Sequence, residues 1–89
     1  MKYPRTVAEA VQAILWAMSQ NEKNLTRSLT KDKLASLHHT LGMRIRNEFG
    51  LWDDNYELLM SSGMVHPDDA SRVILEALWE AVRSSNEGN

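Results

Sequence analysis

The chain has no cysteine. That removes disulfides, thiolate metal sites and cysteine nucleophiles, and it suits a reducing compartment. No apolar run approaches the ~18 residues needed to cross a bilayer, and the opening Met1-Lys2-Tyr3-Pro4-Arg5 meets Glu9 before a signal-like stretch could develop. A cytoplasmic protein with no membrane contact is therefore expected. A charge excess of useful size is missing too. The net charge is -2 and the pI about 5.9, so phosphate backbones and anionic lipid find no general attraction. Lys31, Lys33, Arg44 and Arg46 do not make a basic recognition helix in so acidic a chain, and nucleic acid is not expected as a partner. There is no glycine-rich phosphate loop, and Ser61, Ser62 and Ser71 lack the glycine-framed elbow of a serine nucleophile. No stretch alternates with period two, and no internal repeat or low-complexity tract is present.

What is there is helix-forming apolar periodicity. The 89 residues are 43 % hydrophobic and 25 % charged, an ordinary globular balance. A chain this short buries only about 60 to 65 % of its unfolded surface, so its stability margin is thin. The expected fold is all-α: one helical domain over 1–89, a small compact bundle of four to five short helices. Its ordered core should run from about 4 to 83, with Ser84 to Asn89 a flexible polar tail.

Thr6 and Glu9 have capping-box spacing and start a helix over about 6–19, with Val7, Ala10, Val11, Ile14, Leu15 and Met18 on its inner face. Trp16 falls almost opposite that face. Gln20 to Asn24 has no periodicity, and Leu25 and Leu29 predict one weak turn. Thr30 caps the next helix, whose stripe is Leu34, Leu37, Leu41, Ile45 and Phe49, and Gly50 ends it with Leu51 as the apolar contact of that cap. Asp53 or Asp54 then caps a short helix closed by Gly63, and Trp52 is expected in the core. Pro67 opens the last helix, about 67–83, with Asp68 and Asp69 favourably placed in its first turn. Ala70, Val73, Ile74, Ala77, Leu78 and Ala81 make one broad apolar face, which Leu75, Trp79 and Val82 extend.

Leu37-His38, Leu41-Gly42, Ile45-Arg46-Asn47, Gly50-Leu51-Trp52 and His66-Pro67-Asp68-Asp69-Ala70-Ser71, with the opening Tyr3-Pro4-Arg5-Thr6-Val7-Ala8-Glu9-Ala10, resemble the signature of a family of small uncharacterised bacterial proteins known as a domain of unknown function. The match spans most of the chain. The resemblance implies no activity, cofactor or catalytic residue.

Two polar groups and one apolar group are the candidate functional residues. His38, inside an apolar stripe, reads as a buried neutral imidazole with hydrogen-bond partners on both sides. Arg46 and Asn47 sit in a last helical turn, where they can tie the helix end to Asp53-Asp54 or Asp68-Asp69, or else clamp an anion or peptide backbone. His38, His66, Asp68 and Asp69 read first as a structural polar cluster; a small metal-binding protein or enzyme built on them is the rival reading, although no zinc-type ligand spacing occurs. No metal ligand and no cofactor is assigned. Trp16, Leu75, Trp79 and Val82 are either covered by neighbouring segments or form a binding surface, since exposed tryptophan among aliphatic neighbours is a strong anchor at protein contacts. The expected function is a non-enzymatic protein-binding module, a regulator or inhibitor of a larger bacterial or phage protein. The alternative is a structural homo-oligomer, such as a homodimer through the last helix.

Overall fold

The computed structural model describes residues 3–85, and every regular element among them is helical: α1 (Val7–Ala17), α2 (Gln20–Ser28), α3 (Lys31–Ser36), α4 (Leu41–Glu48), α5 (Tyr56–Ser62) and α6 (Pro67–Ser85). Six helices replace the four to five expected, and two local causes account for the difference. The first is α2. Ser19 accepts from the Glu22 amide at 3.1 Å while Glu22 accepts from the Ser19 amide at 2.8 Å, a complete capping box on a segment with almost no apolar stripe. The second is a break in the expected helix over 31–49. Through residues 37–40 the backbone tightens to three-residue hydrogen bonds, His38 to Ala35 and Thr40 to Leu37. Ser36 and Thr40 hydroxyls bond back to the carbonyls of Lys33 and Leu37, an alternative that competes with regular helix. Gly42 follows in the first turn of α4, where glycine is about 1 kcal/mol worse than alanine.

Helix α6 is the axis of the fold. It packs against all five other helices and supplies Ala70, Ile74, Leu75, Leu78, Trp79 and Val82, half of the buried apolar set among the described residues. Ala10 and Val11 from α1, Leu34, Ile45, Leu51 and Leu58 complete that core. The second apolar side of α6 is covered from within the chain. The Trp79 indole donates to the Leu29 carbonyl at 3.1 Å, and Arg27 of α2 donates to the Val82 carbonyl at 3.2 Å. Arg83 lies over the Trp79 ring, 4.6 Å from its centroid, a cation–π contact.

Several ends follow the expected chemistry with changes of detail. Thr6 accepts from the Glu9 amide, but Glu9 turns to the Arg5 amide instead of completing a capping box with Thr6. Gly50 takes φ 70° and the Leu51 amide reaches back to the Arg46 carbonyl, the bond that closes a Schellman cap. A Cβ on Gly50 would also collide with the Tyr3 ring. The cap of α5 is Asn55, one residue beyond the expected Asp53 or Asp54. Its Oδ1 accepts from the Leu58 amide, and its Nδ2 donates to the carbonyls of Phe49 and Pro4. One side chain thus joins the chain's opening segment, the end of α4 and the start of α5. Trp52, expected in the core, is 53 % exposed. It stands edge-on to His66, ring centroids 6.1 Å apart. Ser84 and Ser85 extend α6; the rest of the expected tail, 86–89, lies outside the described residues. Among those residues no helix is long and apolar enough to cross a membrane.

Candidate functional site

Two regions hold the residues with chemical or binding potential. The polar one lies where α4 meets the first turns of α6. Gly42 and Arg46 are one helical turn apart on α4, so both face α6, and Ser71 faces them with no exposed surface. A Cβ built on Gly42 would fall 3.1 Å from Arg46 Nη1, 3.1 Å from His38 Nδ1 and 3.4 Å from Ser71 Oγ. The missing methyl is what lets imidazole, guanidinium and hydroxyl converge. Arg46, 8 % exposed, donates from Nη1 to Ser71 Oγ at 2.8 Å. Its Nε stands 3.3 Å from Asp68 Oδ1. That Nε makes no aligned hydrogen bond, so the contact with Asp68 is one of charge. Ser71 in turn donates to the Asp68 carbonyl at 2.9 Å.

Of the two ties open to Arg46, the structure makes the one to Asp68 and leaves Asp53-Asp54 aside; Asn47 is exposed and takes no part. The expected cluster of His38, His66, Asp68 and Asp69 assembles only in part. His66 Nδ1 accepts the Asp68 amide at 3.1 Å, performing with an imidazole the capping task usually given to serine or aspartate. Asp69 turns away to Arg72 at 3.7 Å. His38 is half-buried and departs from expectation, because its enclosed Nδ1 has no hydrogen-bond partner. Burial, and after it the positive charges of Arg72 and Arg46, hold its pKa below the usual histidine value against the opposing pull of Asp68. Among the described residues no three histidine, aspartate or glutamate side chains are placed to hold a metal ion.

The apolar region lies further along α6, where Leu75 and Leu78 follow Ser71 at helical spacing. Helices α1, α2 and α4 diverge there and leave an open hollow of about 340 Å³, walled by half-buried Ile14, Met18, Leu29, Leu37, Leu41 and Phe49, with Leu34, Leu75 and Leu78 beneath. A volume of that size is at the small end of natural ligand sites. Its rim carries Glu22, Arg44 and Glu48, with Arg44 and Glu48 paired to each other at 3.3 Å. Ala13 and Ala17 form the edge contributed by α1. Trp16, between them in sequence, stands 90 % exposed.

The four apolar candidates therefore separate. Trp16 is a surface side chain, whereas Leu75, Trp79 and Val82 are 2 %, 7 % and 1 % exposed and cannot serve as a binding ridge, because α2 and the Leu29 carbonyl cover them. The hollow itself escaped sequence reasoning, since its walls are ordinary stripe leucines contributed by several helices. A second exposed apolar strip runs along the outside of α5 through Tyr56 and Met60 to Val65. The Ser19–Glu22 spacing, which signals α2, was the one sequence feature that could have separated Trp79 from Trp16.

The chain belongs to the family described as a domain of unknown function, DUF6794, whose model matches residues 3–82. No curated protein and no solved structure matches it significantly.

Proposed function

Because membership of DUF6794 brings no activity with it, we propose that this chain is a non-enzymatic protein-binding module, acting in the cytoplasm as a regulator or inhibitor of a larger bacterial or phage protein. The observation that carries this reading is Trp16, 90 % exposed on α1, a helix whose other side walls an apolar hollow of about 340 Å³. Tryptophan is among the side chains that dominate binding energy at protein contacts, and a bare indole on a helix surface is an anchor of that kind. The polar groups support the same reading. Asp68 is engaged by Arg46 and Asp69 by Arg72, while His66 caps a helix, so each has a structural task. A photo-crosslinking amino acid at position 16, introduced in a bacterial host, tests the proposal. Discrete protein adducts are expected from position 16, with none from exposed Glu80 on α6. Equal, diffuse labelling from both positions would refute it.

A further inference from the structure

We infer that His66 is a pH-operated clasp at the start of α6: unprotonated it caps the helix, and protonated it gives up the cap and draws the Asp68 carboxylate away from Arg46. Two contacts of one imidazole nitrogen make this exchange possible. His66 Nδ1 accepts the Asp68 amide at 3.1 Å, and it stands 3.9 Å from Oδ2 of the same residue's carboxylate. The first contact requires a lone pair on Nδ1, so the neutral ring carries its hydrogen on Nε2. A proton added to Nδ1 turns the acceptor into a donor aimed at an amide N–H, and the cap is lost. The carboxylate oxygen at hand is then Oδ2. Serine, threonine, asparagine and aspartate, the usual caps, keep their acceptor between pH 5 and 8, whereas histidine is the side chain that ordinarily changes charge in that interval.

The Asp68 carboxylate can be drawn away because its other contact is loose. Its Oδ1 lies 3.3 Å from Arg46 Nε, with half of the side chain in solvent, and that Nε, although buried, makes no aligned hydrogen bond. Arg46 keeps a second anchor, Nη1 to Ser71 Oγ at 2.8 Å, so α4 stays attached to α6 when the carboxylate leaves. The surrounding charges leave the exchange to these groups. On its own helix the imidazole faces Asp68, while Asp69 is paired with Arg72 at 3.7 Å. From the segment after α4 it meets the uncharged Trp52 ring, edge-on with 6.1 Å between centroids. Asp53 follows Trp52 in that segment, and Asp54 accepts from the Tyr56 hydroxyl at 3.0 Å. From α4 the charge that reaches the shared carboxylate is Arg46, with His38 beside it at Gly42.

Nuclear magnetic resonance of the isotopically labelled intact chain, titrated from pH 8 to pH 5, reads the clasp directly. The Asp68 amide proton should move upfield, as a lost hydrogen bond requires, on the titration curve of the His66 ring and not on those of His38 or His39. The Arg46 Nε resonance should move on the same curve. His66→Asn supplies a cap that takes up no proton in this interval, and its Asp68 amide should hold one position throughout. Asp68→Asn removes the carboxylate but not the backbone amide: that amide should still follow the His66 ring, while the Arg46 Nε resonance no longer does. An Asp68 amide that stays fixed while His66 titrates would overturn the inference in the wild-type chain alone, and so would a shift that survives in His66→Asn. An Arg46 Nε resonance indifferent to the His66 curve would overturn the transfer of the carboxylate.

Discussion

Where α6 faces α4, the two helices meet through a guanidinium, a hydroxyl and a carboxylate that fit around a missing methyl group at Gly42. Further along α6, between α1, α2 and α4, leucines, a methionine and a phenylalanine lean on one another and leave space between them. The first region spends its polar groups on holding helices in register. The second is apolar and incomplete. In a chain of this size, every side chain used to close one region is absent from another, and the hollow is where closure stops. Residue type alone therefore does not separate the two regions: His66, Asp68 and Asp69 are engaged within the fold, and the hollow is walled by side chains that elsewhere would be core.

The two tryptophans break or confirm this contrast most sharply. Trp79 lies under α2 with its indole N–H satisfied by the Leu29 carbonyl, so Trp79→Ala should cost about 3 to 5 kcal/mol, the usual range for emptying a large aromatic site. Trp16→Ala should stay within about 0.5 kcal/mol. Urea unfolding followed by far-ultraviolet circular dichroism measures both. Similar costs would mean that Trp16 is packed as firmly as Trp79.

That contrast also shows what the sequence made legible. Apolar spacing placed α1 and α6, and the glycines at 50 and 63 marked the ends of α4 and α5, because these signals are local: a stripe, or a φ that only a few residues accept. Helix α2 reads in the sequence as a single weak turn because Leu25 is its one apolar residue, and its capping box is the remaining clue. The sequence does not single out Asn55, because Asp53, Asp54 and Asn55 can all cap, and only the carbonyls of Phe49 and, far off in sequence, Pro4 choose among them. Periodicity placed Trp16 and Trp79 alike off the main stripes. What separates them is the path of α2, a tertiary fact. The link between Arg46 and Asp68 was legible as one of two pairings, since charges at the ends of neighbouring helices seek partners, but Ser71 and the void at Gly42 that complete it were not.

A smaller effect sharpens the polar side. Arg46 is buried and its bond to Ser71 is charge-assisted, a type worth about 1.5 to 3 kcal/mol; its aliphatic stem adds packing. Arg46→Ala should therefore cost about 2 to 3 kcal/mol in urea unfolding. Asp68 has half of its side chain in solvent, which puts its pair near the surface value of about 0 to 1 kcal/mol, and Asp68→Asn should cost no more than that. If the two substitutions cost the same, the ion pair and not the buried hydroxyl bond would be holding α4 to α6.

The smallest effect concerns His38, whose buried Nδ1, like the Nε of Arg46, has no hydrogen-bond partner. Burial lowers its pKa in the folded chain, Arg72, Arg46 and His39 lower it further, and Asp68 opposes them. With the folded value below the ordinary 6.5, the unfolded chain takes up the proton first as the solution is acidified. Stability is then full above about pH 6.5 and falls as the pH drops through that value toward the lowered folded pKa, below which both states are protonated and the loss levels off. Urea midpoints at stepped pH should show this decline in the wild-type chain and a flatter profile in His38→Asn. Every other ionisable group is common to the two proteins, so the difference between the two curves isolates His38. A His38→Asn profile as steep as the wild type would mean that the imbalance of charge around Arg46 and Asp68 does not reach the imidazole, and the polar region would reduce to the Arg46–Ser71 bond.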